Sequence, residues 1–304
     1  MDSRIILSQA DFSANNIGRY VELSEFTRKV LAKQTQYEEG SAESVAINTF
    51  LNELVEGGFI GGSSPMLKVL IIPALGSQHN EFFYNLAQVD GEGFPVNWMP
   101  SAESSAETKL YVPITDTNSR IIGIEAKTDN GRITSEAAAE QSLFSAGFGY
   151  DSDHVLPNIS LAFYNLTQAQ ASTLGDPFIK VFSGSARLTD ILMGVVVSNV
   201  NYGYVPSGTM LGFLGMTCNN TEHTFNGTAD NADLTPTGTT LSSTLYTGDA
   251  YDALNIGTFV YSSSRHTRLA MFACGENIFS TQMQTLQSLV DNLMTALHVK
   301  SYIQ

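Results

Sequence analysis

From residue 67 to residue 273, short apolar runs alternate with turn-forming residues about every 8 to 12 positions. Ile159–Tyr164, Met210–Met216 and Leu269–Ala273 are examples, and runs of this length and composition are typical of strands. Many short, evenly spaced strands indicate a β-sandwich or barrel. Asn130–Gly131 is the strongest hairpin signal, since both central residues of a type I′ turn need positive φ. We therefore predict a mainly β, antiparallel fold.

A helix is predicted just before this β-rich region. Ser41 can act as its N-cap, and apolar residues then recur at i, i+3, i+4, i+7 and i+8 from Ile47. Gly57 and Gly58 end the pattern, because glycine favours the end of a helix. The run LKVLIIPAL that follows is predicted to be a buried strand.

A second helix is predicted at the end of the chain. Ser280 or Thr281 can serve as its N-cap, and Gln284 stands at the capping-box position relative to Thr281. An apolar stripe then continues to Leu297. A terminal helix after many strands is expected to cover a sheet edge or an open end of a sandwich.

Residues 1–40 form a polar strip with isolated apolar side chains and no sustained helix or strand periodicity. Such a strip cannot bury enough apolar surface to fold alone. We predict an N-terminal attachment or oligomerisation arm at 1–40 and one β-sandwich domain with flanking helices at 41–304. The arm is expected to order against its own sandwich, a sister subunit or a larger assembly.

The charge of the chain is strongly acidic: 30 acidic and 15 basic residues give a formal net charge of −15 at pH 7. No cluster of Lys and Arg could neutralise a run of phosphates, so nucleic acid and anionic membrane surfaces are excluded as partners. From Leu188 to Ser264 there is no Lys or Arg. This stretch is either an uncharged, strand-rich surface or a surface that packs against copies of itself or meets neutral glycans.

The opening segment MDSRIILSQAD lacks the order of a secretory signal, in which basic residues precede an apolar run. No window of about 18 apolar residues could span a bilayer. We therefore expect synthesis in a cytoplasm without membrane insertion. Cys218 and Cys274 lack metal-ligand spacing and are interpreted as buried thiols, with a disulfide as the alternative.

Acidic pairs were considered as catalytic or metal-binding groups. Glycan hydrolysis on a sandwich needs converging carboxylates, which appear on a strand as acids at alternate positions. Asp90–Glu92 and Asp151–Asp153 have this spacing but lie among Gly and Ser in predicted loops, where carboxylates are usually solvated. We therefore predict no catalytic residue and no enzyme. Asp151 and Asp153 are instead candidate Ca²⁺ ligands, since Ca²⁺ favours loop carboxylates, and no other cofactor is expected.

Three aromatic residues are candidates for ligand binding. Trp98, the sole tryptophan, lies in the Pro-bounded segment FPVNWMP, and Tyr202 and Tyr204 lie in NYGYVPSG. Aromatic rings beside amide and carboxylate groups suit the face of a sugar. The alternative is that these rings plug the ends of the sandwich.

The order of three segments resembles the laminin-G-like, concanavalin A-like jelly-roll proteins of bacteriophage virions. The first segment is the helix INTFLNELVEGG followed by LKVLIIPAL and Tyr84–Asn85–Leu86. The second is the central run HVLPNISLAFY. The third and most specific is RLAMFACG with the helix that follows it, although its Gly stands one position earlier than in the group.

This resemblance covers about residues 41–300 and implies a jelly-roll β-sandwich on the virion surface, in a tail fibre, a head fibre or a capsid decoration. The strip ILSQADFSANNIG is similar to attachment peptides that precede such modules. We therefore expect contact with other virion proteins through the arm, a homo-oligomer, and contact with host or mucosal glycans. Two alternatives are a polysaccharide-degrading enzyme on the same fold and a ligand-free capsid or tail assembly protein.

Overall fold

The computed structural model describes residues 22–97, 111–126, 132–134, 159–166, 177–183, 194–197, 200–208, 211–219, 224–229, 232–237, 251–258 and 268–303. These residues form a mainly antiparallel β structure with a few helices, which is consistent with a β-sandwich. Within these ranges, no helix has both the length and the apolar character that crossing a bilayer requires.

Helices stand at both ends of the described chain. They are α1 (Glu25–Lys33), α2 (Ala42–Glu56), α3 (Ser280–Ala296) and α4 (Val299–Ile303), and short 3-10 turns occur at Pro73–Leu75 and His79–Glu81. Ser41 is the N-cap of α2, with its hydroxyl accepting from the Ser44 amide at 3.0 Å, and Gly57 is the C-cap. The helix predicted here is therefore confirmed at both ends.

The strands fall into three sheets. They are β1 (Leu67–Ile71), β2 (Tyr84–Val89), β3 (Pro95–Asn97), β4 (Tyr111–Thr115), β5 (Ile121–Ala126), β6 (Arg132–Thr134), β7 (Ile159–Asn165), β8 (Pro177–Ser183), β9 (Gly194–Val197), β10 (Val200–Gly208), β11 (Gly212–Asn219), β12 (Thr224–Ala229), β13 (Ala232–Thr237), β14 (Tyr251–Thr258) and β15 (Arg268–Glu276). The main sheet has the order β12-β11-β7-β15-β1-β2-β3, with β5 also paired to β15 and β4 to β5. The smaller sheets have the orders β13-β10-β9 and β6-β14-β8.

The hairpin predicted at Asn130–Gly131 is wrong, because the strands on either side of it belong to different sheets. β5 pairs with β4 and β15, whereas β6 pairs with β14. The hairpin that does involve β5 is closed by Asp116, whose carboxylate accepts from the amides of Asn118 and Arg120 at 2.8 and 2.9 Å. β5 therefore pairs with the strand before it in the chain on one edge and with β15 on the other.

One face of the main sheet carries the helices. Helix α3 packs against α2 and against β11 and β12. The buried side chains shared by helices and sheet include Leu51, Leu286 and Val290 from the helices and Tyr164, Phe213, Met271 and Ala273 from the strands. The apolar stripes predicted on both helices therefore face this core.

The opposite face of the main sheet is equally apolar. A row of four apolar residues crosses four adjacent strands on this face, and each residue pairs directly with its neighbour in the row. The row runs Leu214, Phe163, Phe272, Ile71, and every side chain in it is at most 1% exposed. They do not belong to the core under the helices. Strand β8, from a smaller sheet, contacts β7 and β15. A second β layer over this face is what a β-sandwich requires.

Helix α3 begins at Ser280, so its N-cap lies one residue before Ser280 and two before Thr281, the two predicted N-caps. Phe279 is the N-cap and makes no side-chain capping bond, so the capping box predicted from Thr281 and Gln284 is wrong. The preceding residue, Ile278, is instead held by the sheet: its amide donates to the Ser160 hydroxyl at 3.0 Å, and Thr217 donates to its carbonyl. Fully buried hydroxyls on β7 and β11 thus fix the start of the helix.

Part of the predicted arm, residues 22–40, is described, and three consecutive residues in it bond to the β-rich part of the chain. Gln34 donates to the carbonyl of Glu81 at 3.0 Å. Gln36 donates to the carbonyls of Ala74 and Ile121 at 2.7 Å each and accepts from the Ile121 amide at 2.7 Å. Residues 34–36, which we call the strap, therefore bridge the loop after β1 and the start of β5. The domain boundary at residue 40 stays a prediction.

The Glu81 carboxylate is the centre of this bridge. It accepts from the Thr35 amide at 2.8 Å, the Ser77 amide at 2.9 Å and the Gln78 side-chain amide at 2.9 Å. Burial by itself raises the pKa of Glu81, but these hydrogen bonds outweigh burial and hold the pKa below its ordinary value of 4.5. The ionised form therefore stabilises the folded strap.

We expect Glu81→Gln to destabilise the fold at pH 7 by about 1–3 kcal/mol, since one carboxylate oxygen becomes a donor that faces other donors. Because the folded pKa of Glu81 is lowered, its contribution is present above pH 4.5 and is lost as the pH falls through the folded pKa. Urea unfolding at pH 7 and near pH 3.5 should show the variant and wild type converging in acid. Glu38→Gln, at an exposed position, is the control. Parallel pH profiles would contradict the assignment.

A second prediction concerns the closest approach of β15 to β1. A Cβ on Gly275 would overlap the carbonyl oxygen of Met66 and lie 2.9 Å from the Cα of Leu67. Both are backbone atoms and cannot turn aside, so Gly275→Ala should cost about 1–3 kcal/mol. Gly91→Ala is the matched control, because nothing lies within 4 Å of the added Cβ. Equal thermal midpoints for the two variants would show that this spacing is not restrictive.

Candidate functional site

The ligand and metal residues predicted from sequence are only partly within the described ranges. Trp98, Asp151 and Asp153 lie outside them. Tyr202 and Tyr204 lie on β10, directly opposite Val195 and Pro236, and their side chains are outside the described part of the molecule.

The chain that leads to Trp98 is the β2–β3 hairpin. Its turn is closed by Asp90, whose carboxylate accepts from the amides of Glu92 and Phe94 at 2.9 Å each. The hydrogen bond from the Phe94 amide is the main reason that the pKa of Asp90 is lowered. Gly93 has φ +82, a conformation that favours glycine. Asp90 therefore serves the turn, and its Oδ1 accepts from both backbone amides.

Two lysines of α1 lie against this turn. The ammonium of Lys33 is 4.8 Å from the centroid of the Phe94 ring, and that of Lys29 is 5.5 Å from it. Lys29 also donates to the Glu92 carbonyl at 2.6 Å and pairs with Glu25 at 2.8 Å. Cations at these distances are attracted to the face of an aromatic ring. The hairpin is thereby fastened to α1, with Phe94 half-buried at the junction.

The residue immediately before Trp98 is also fixed. Asn97 is directly opposite Tyr84 across the β2–β3 pair, and its side-chain amide donates to the carbonyl of Asn80 at 2.8 Å. It is exposed to solvent. We call Lys29, Lys33, Asp90, Phe94 and Asn97 the hairpin site. It combines an aromatic ring, two ammonium groups and an exposed amide on a braced turn at the edge of the main sheet.

The charge of α1 sets this site apart from the rest of the chain. The helix carries three basic residues, Arg28, Lys29 and Lys33, and one acidic residue, Glu25. By comparison, α2 carries three acidic residues and no basic residue. In a chain with a formal charge of −15, the residues of the helix beside the hairpin thus carry a net positive charge.

Metal ligands and thiols were sought in the same ranges. In the described segments, no three His, Cys, Asp or Glu side chains converge as metal ligands. The predicted Ca²⁺ ligands Asp151 and Asp153 lie outside those segments, so that site stays a prediction. Cys274 is a buried thiol on β15, as predicted.

Sequence reasoning did not single out Lys29, Lys33 or Phe94. The lysine and the hairpin residues that meet are far apart in the chain, with 63 positions between Lys29 and Glu92. Two signals could have found them. Lysines at i and i+4 share a helix face, and an Asp followed by two Gly within four residues is typical of a tight, carboxylate-closed turn.

Comparison with known proteins gives a distant structural match. The chain is similar to Trypanosoma rangeli sialidase in complex with 2,3-difluorosialic acid as a covalent intermediate, with a TM-score of 0.43, 11% identity and coverage of 82% of this chain. The same sialidase in complex with sialic acid matches with a TM-score of 0.42 and 9% identity. In each case the chain spans 39% of the length of the sialidase chain. No protein-family model and no curated protein matches the sequence.

The prediction that the chain is not an enzyme is corrected by this finding, because the sialidase of these matched structures is an enzyme. That prediction came from the absence of a convincing carboxylate pair in the sequence. Carboxylates that converge from distant strands leave no local pattern, so absence of a pattern could not exclude catalysis. At this identity and TM-score the likeness transfers neither substrate nor mechanism to the chain.

We predict that the two acidic residues of the hairpin turn are unequal in stability. Asp90→Ala should lower the urea midpoint at pH 7, because two turn amides lose their acceptor. Glu92→Ala, two residues away and exposed, should leave it unchanged. Since the pKa of Asp90 is lowered, its effect should be present above pH 3.8 and fade in stronger acid. A larger loss for Glu92→Ala would contradict the assignment of Asp90 to the turn.

Proposed function

We propose that this protein recognises carbohydrate through the hairpin site and the Trp98 segment that follows it. The observation that supports this proposal is the braced junction of α1 with the β2–β3 hairpin, where Lys33 lies over the Phe94 ring and Asn97, the residue before Trp98 in the sequence, is held by Asn80. Aromatic rings offer apolar area to the face of a sugar, and ammonium and amide groups can donate to its hydroxyls. Tyr202 and Tyr204 on β10 are kept as further candidate contacts.

The rigidity of the turn favours binding. Asp90, Lys29 and Asn97 each hold one part of the hairpin before any ligand arrives. A preorganised site loses little conformational entropy on binding, and this loss is a main reason that polar ligands bind weakly. The hairpin is therefore suited to a hydroxyl-rich ligand whose individual contacts are each small.

We further propose that the protein is a surface component of a bacteriophage particle, built on a jelly-roll sandwich and attached through residues 1–40. The resemblance in segment order supports this placement, and the attachment arm would carry copies side by side as a homo-oligomer. When several weak sites are linked, binding at one site raises the effective concentration of ligand at the next. Avidity therefore increases without new contacts. An acidic surface would keep crowded copies soluble.

Hydrolysis of the bound glycan is the second candidate function. The alternative predicted from sequence was a polysaccharide-degrading enzyme on the same fold. The carboxylates of Asp90, Asp116 and Glu81 are each occupied by turn or strap hydrogen bonds. The catalytic pair of such an enzyme would therefore have to include other acidic residues. A test of binding should also read hydrolysis.

Glycan arrays, followed by titration of any hit, test the proposal with Phe94→Ala and Trp98→Ala. Each variant should weaken binding by about threefold to tenfold, as expected for the loss of one stacked aromatic ring. Tyr302→Ala is the control, since this ring is 41% exposed at the other end of the chain. Release of reducing ends from the same glycans reports hydrolysis. Blank arrays, or equal losses for Tyr302→Ala, would overturn recognition at the hairpin site.

A further inference from the structure

We propose that the hairpin site selects sugars that bear a carboxylate, with Lys33 as the residue that recognises it. This inference rests on the proposed function, since it names the ligand class of the same site. It is not implied by the acidic composition of the chain, which by itself disfavours anionic ligands. The reason lies in how the charges at the hairpin are distributed.

The two lysines at Phe94 are not equivalent. Lys29 is committed to the fold, because it pairs with Glu25 at 2.8 Å and donates to the Glu92 carbonyl at 2.6 Å. Lys33 contacts the Phe94 ring, and in the described part of the chain its ammonium makes no hydrogen bond or ion pair. A ring held beneath an ammonium positions the cation without using its three N–H donors. Lys33 is therefore available to a ligand.

Lys33 makes no ion pair with a neighbouring acidic group among the described residues. Asp90 lies near enough to attract Lys33 electrostatically, but its Oδ1 accepts from the amides of Glu92 and Phe94 and it forms no ion pair with the lysine. Glu25 pairs with Lys29. Arg28, also on α1, is paired with Glu22 and Glu39 and does not contribute to the site. Of the two lysines of the hairpin site, Lys33 is thus the one without an ion pair to a described carboxylate, whereas Lys29 pairs with Glu25.

Among the acidic groups that sugars carry, a carboxylate fits the Lys33 ammonium above the Phe94 ring. Its planar oxygens accept from an ammonium in a charge-assisted hydrogen bond, which is stronger than a bond to a neutral hydroxyl. A neutral sugar could use Phe94 but would leave Lys33 without a charged partner.

The experiment compares soluble polygalacturonate with its fully methyl-esterified form, which has the same backbone and no charge. The full chain should bind the acid polymer more tightly, and added salt should reduce the difference. Lys33→Gln should weaken binding of the acid polymer about tenfold and leave the ester unchanged, as expected for one charge-assisted bond. Lys33→Arg should restore part of the preference. Lys300→Gln, at a helix far along the chain, should change neither.

Three outcomes would overturn the inference. Equal binding of acid and ester by wild type would show that the site does not select a carboxylate. Equal losses on both polymers for Lys33→Gln would show that the lysine acts through the fold. Binding of neither polymer, with positive signals for neutral sugars on the glycan array, would reject acidic sugars but leave carbohydrate recognition intact. A blank array would reject the proposed function itself.

Discussion

The pairing of β15 with β7 on one side and β1 on the other is the interaction on which the described fold depends. Because this strand has partners on both edges and layers on both faces, it must be apolar at nearly every position, and RLAMFACG meets that demand. Its alternate side chains divide between two cores: Met271 and Ala273 face the helices, whereas Phe272 lies in the row with Phe163 and Ile71. Gly275 then lets β1 approach closely enough to continue the sheet.

Local signals were sufficient where the structure is held by local bonds. Helix α2 begins at Ser41 and ends at Gly57 as its sequence predicts, because its caps and its apolar stripe are all contained in that segment. They failed at α3, where the hydroxyls of Ser160 and Thr217, more than a hundred and about sixty residues earlier, replace an N-cap side chain. They failed again at Asn130–Gly131, because β5 forms its hairpin with the preceding strand β4, and β6 pairs with the distant β14.

The candidate site likewise contains one feature that the sequence reveals locally and others that depend on distant residues. An aromatic segment ending in Trp98 could be found from sequence, since a sole tryptophan between prolines stands out. The roles of Lys33 and Phe94 could not be found from the sequence, because neither residue belongs to a recognisable motif. Their contact exists only once α1 packs against the hairpin. That packing in turn depends on the strap, whose Gln34 and Gln36 hold the chain after α1 to backbone groups of the body. The position of the lysine is therefore a property of tertiary structure.

This dependence links the stability of the strap to ligand recognition. The Glu81 carboxylate holds the strap through Thr35, and the strap follows directly after Lys33 at the end of α1. Any loosening of these bonds would let the last turn of α1 move away from Phe94, since a helix end without tertiary contacts frays readily. A ligand that pairs with Lys33 binds only the docked arrangement and so stabilises it in proportion to its affinity. Binding at the hairpin and docking of α1 should consequently be coupled, although Glu81 does not belong to the hairpin site.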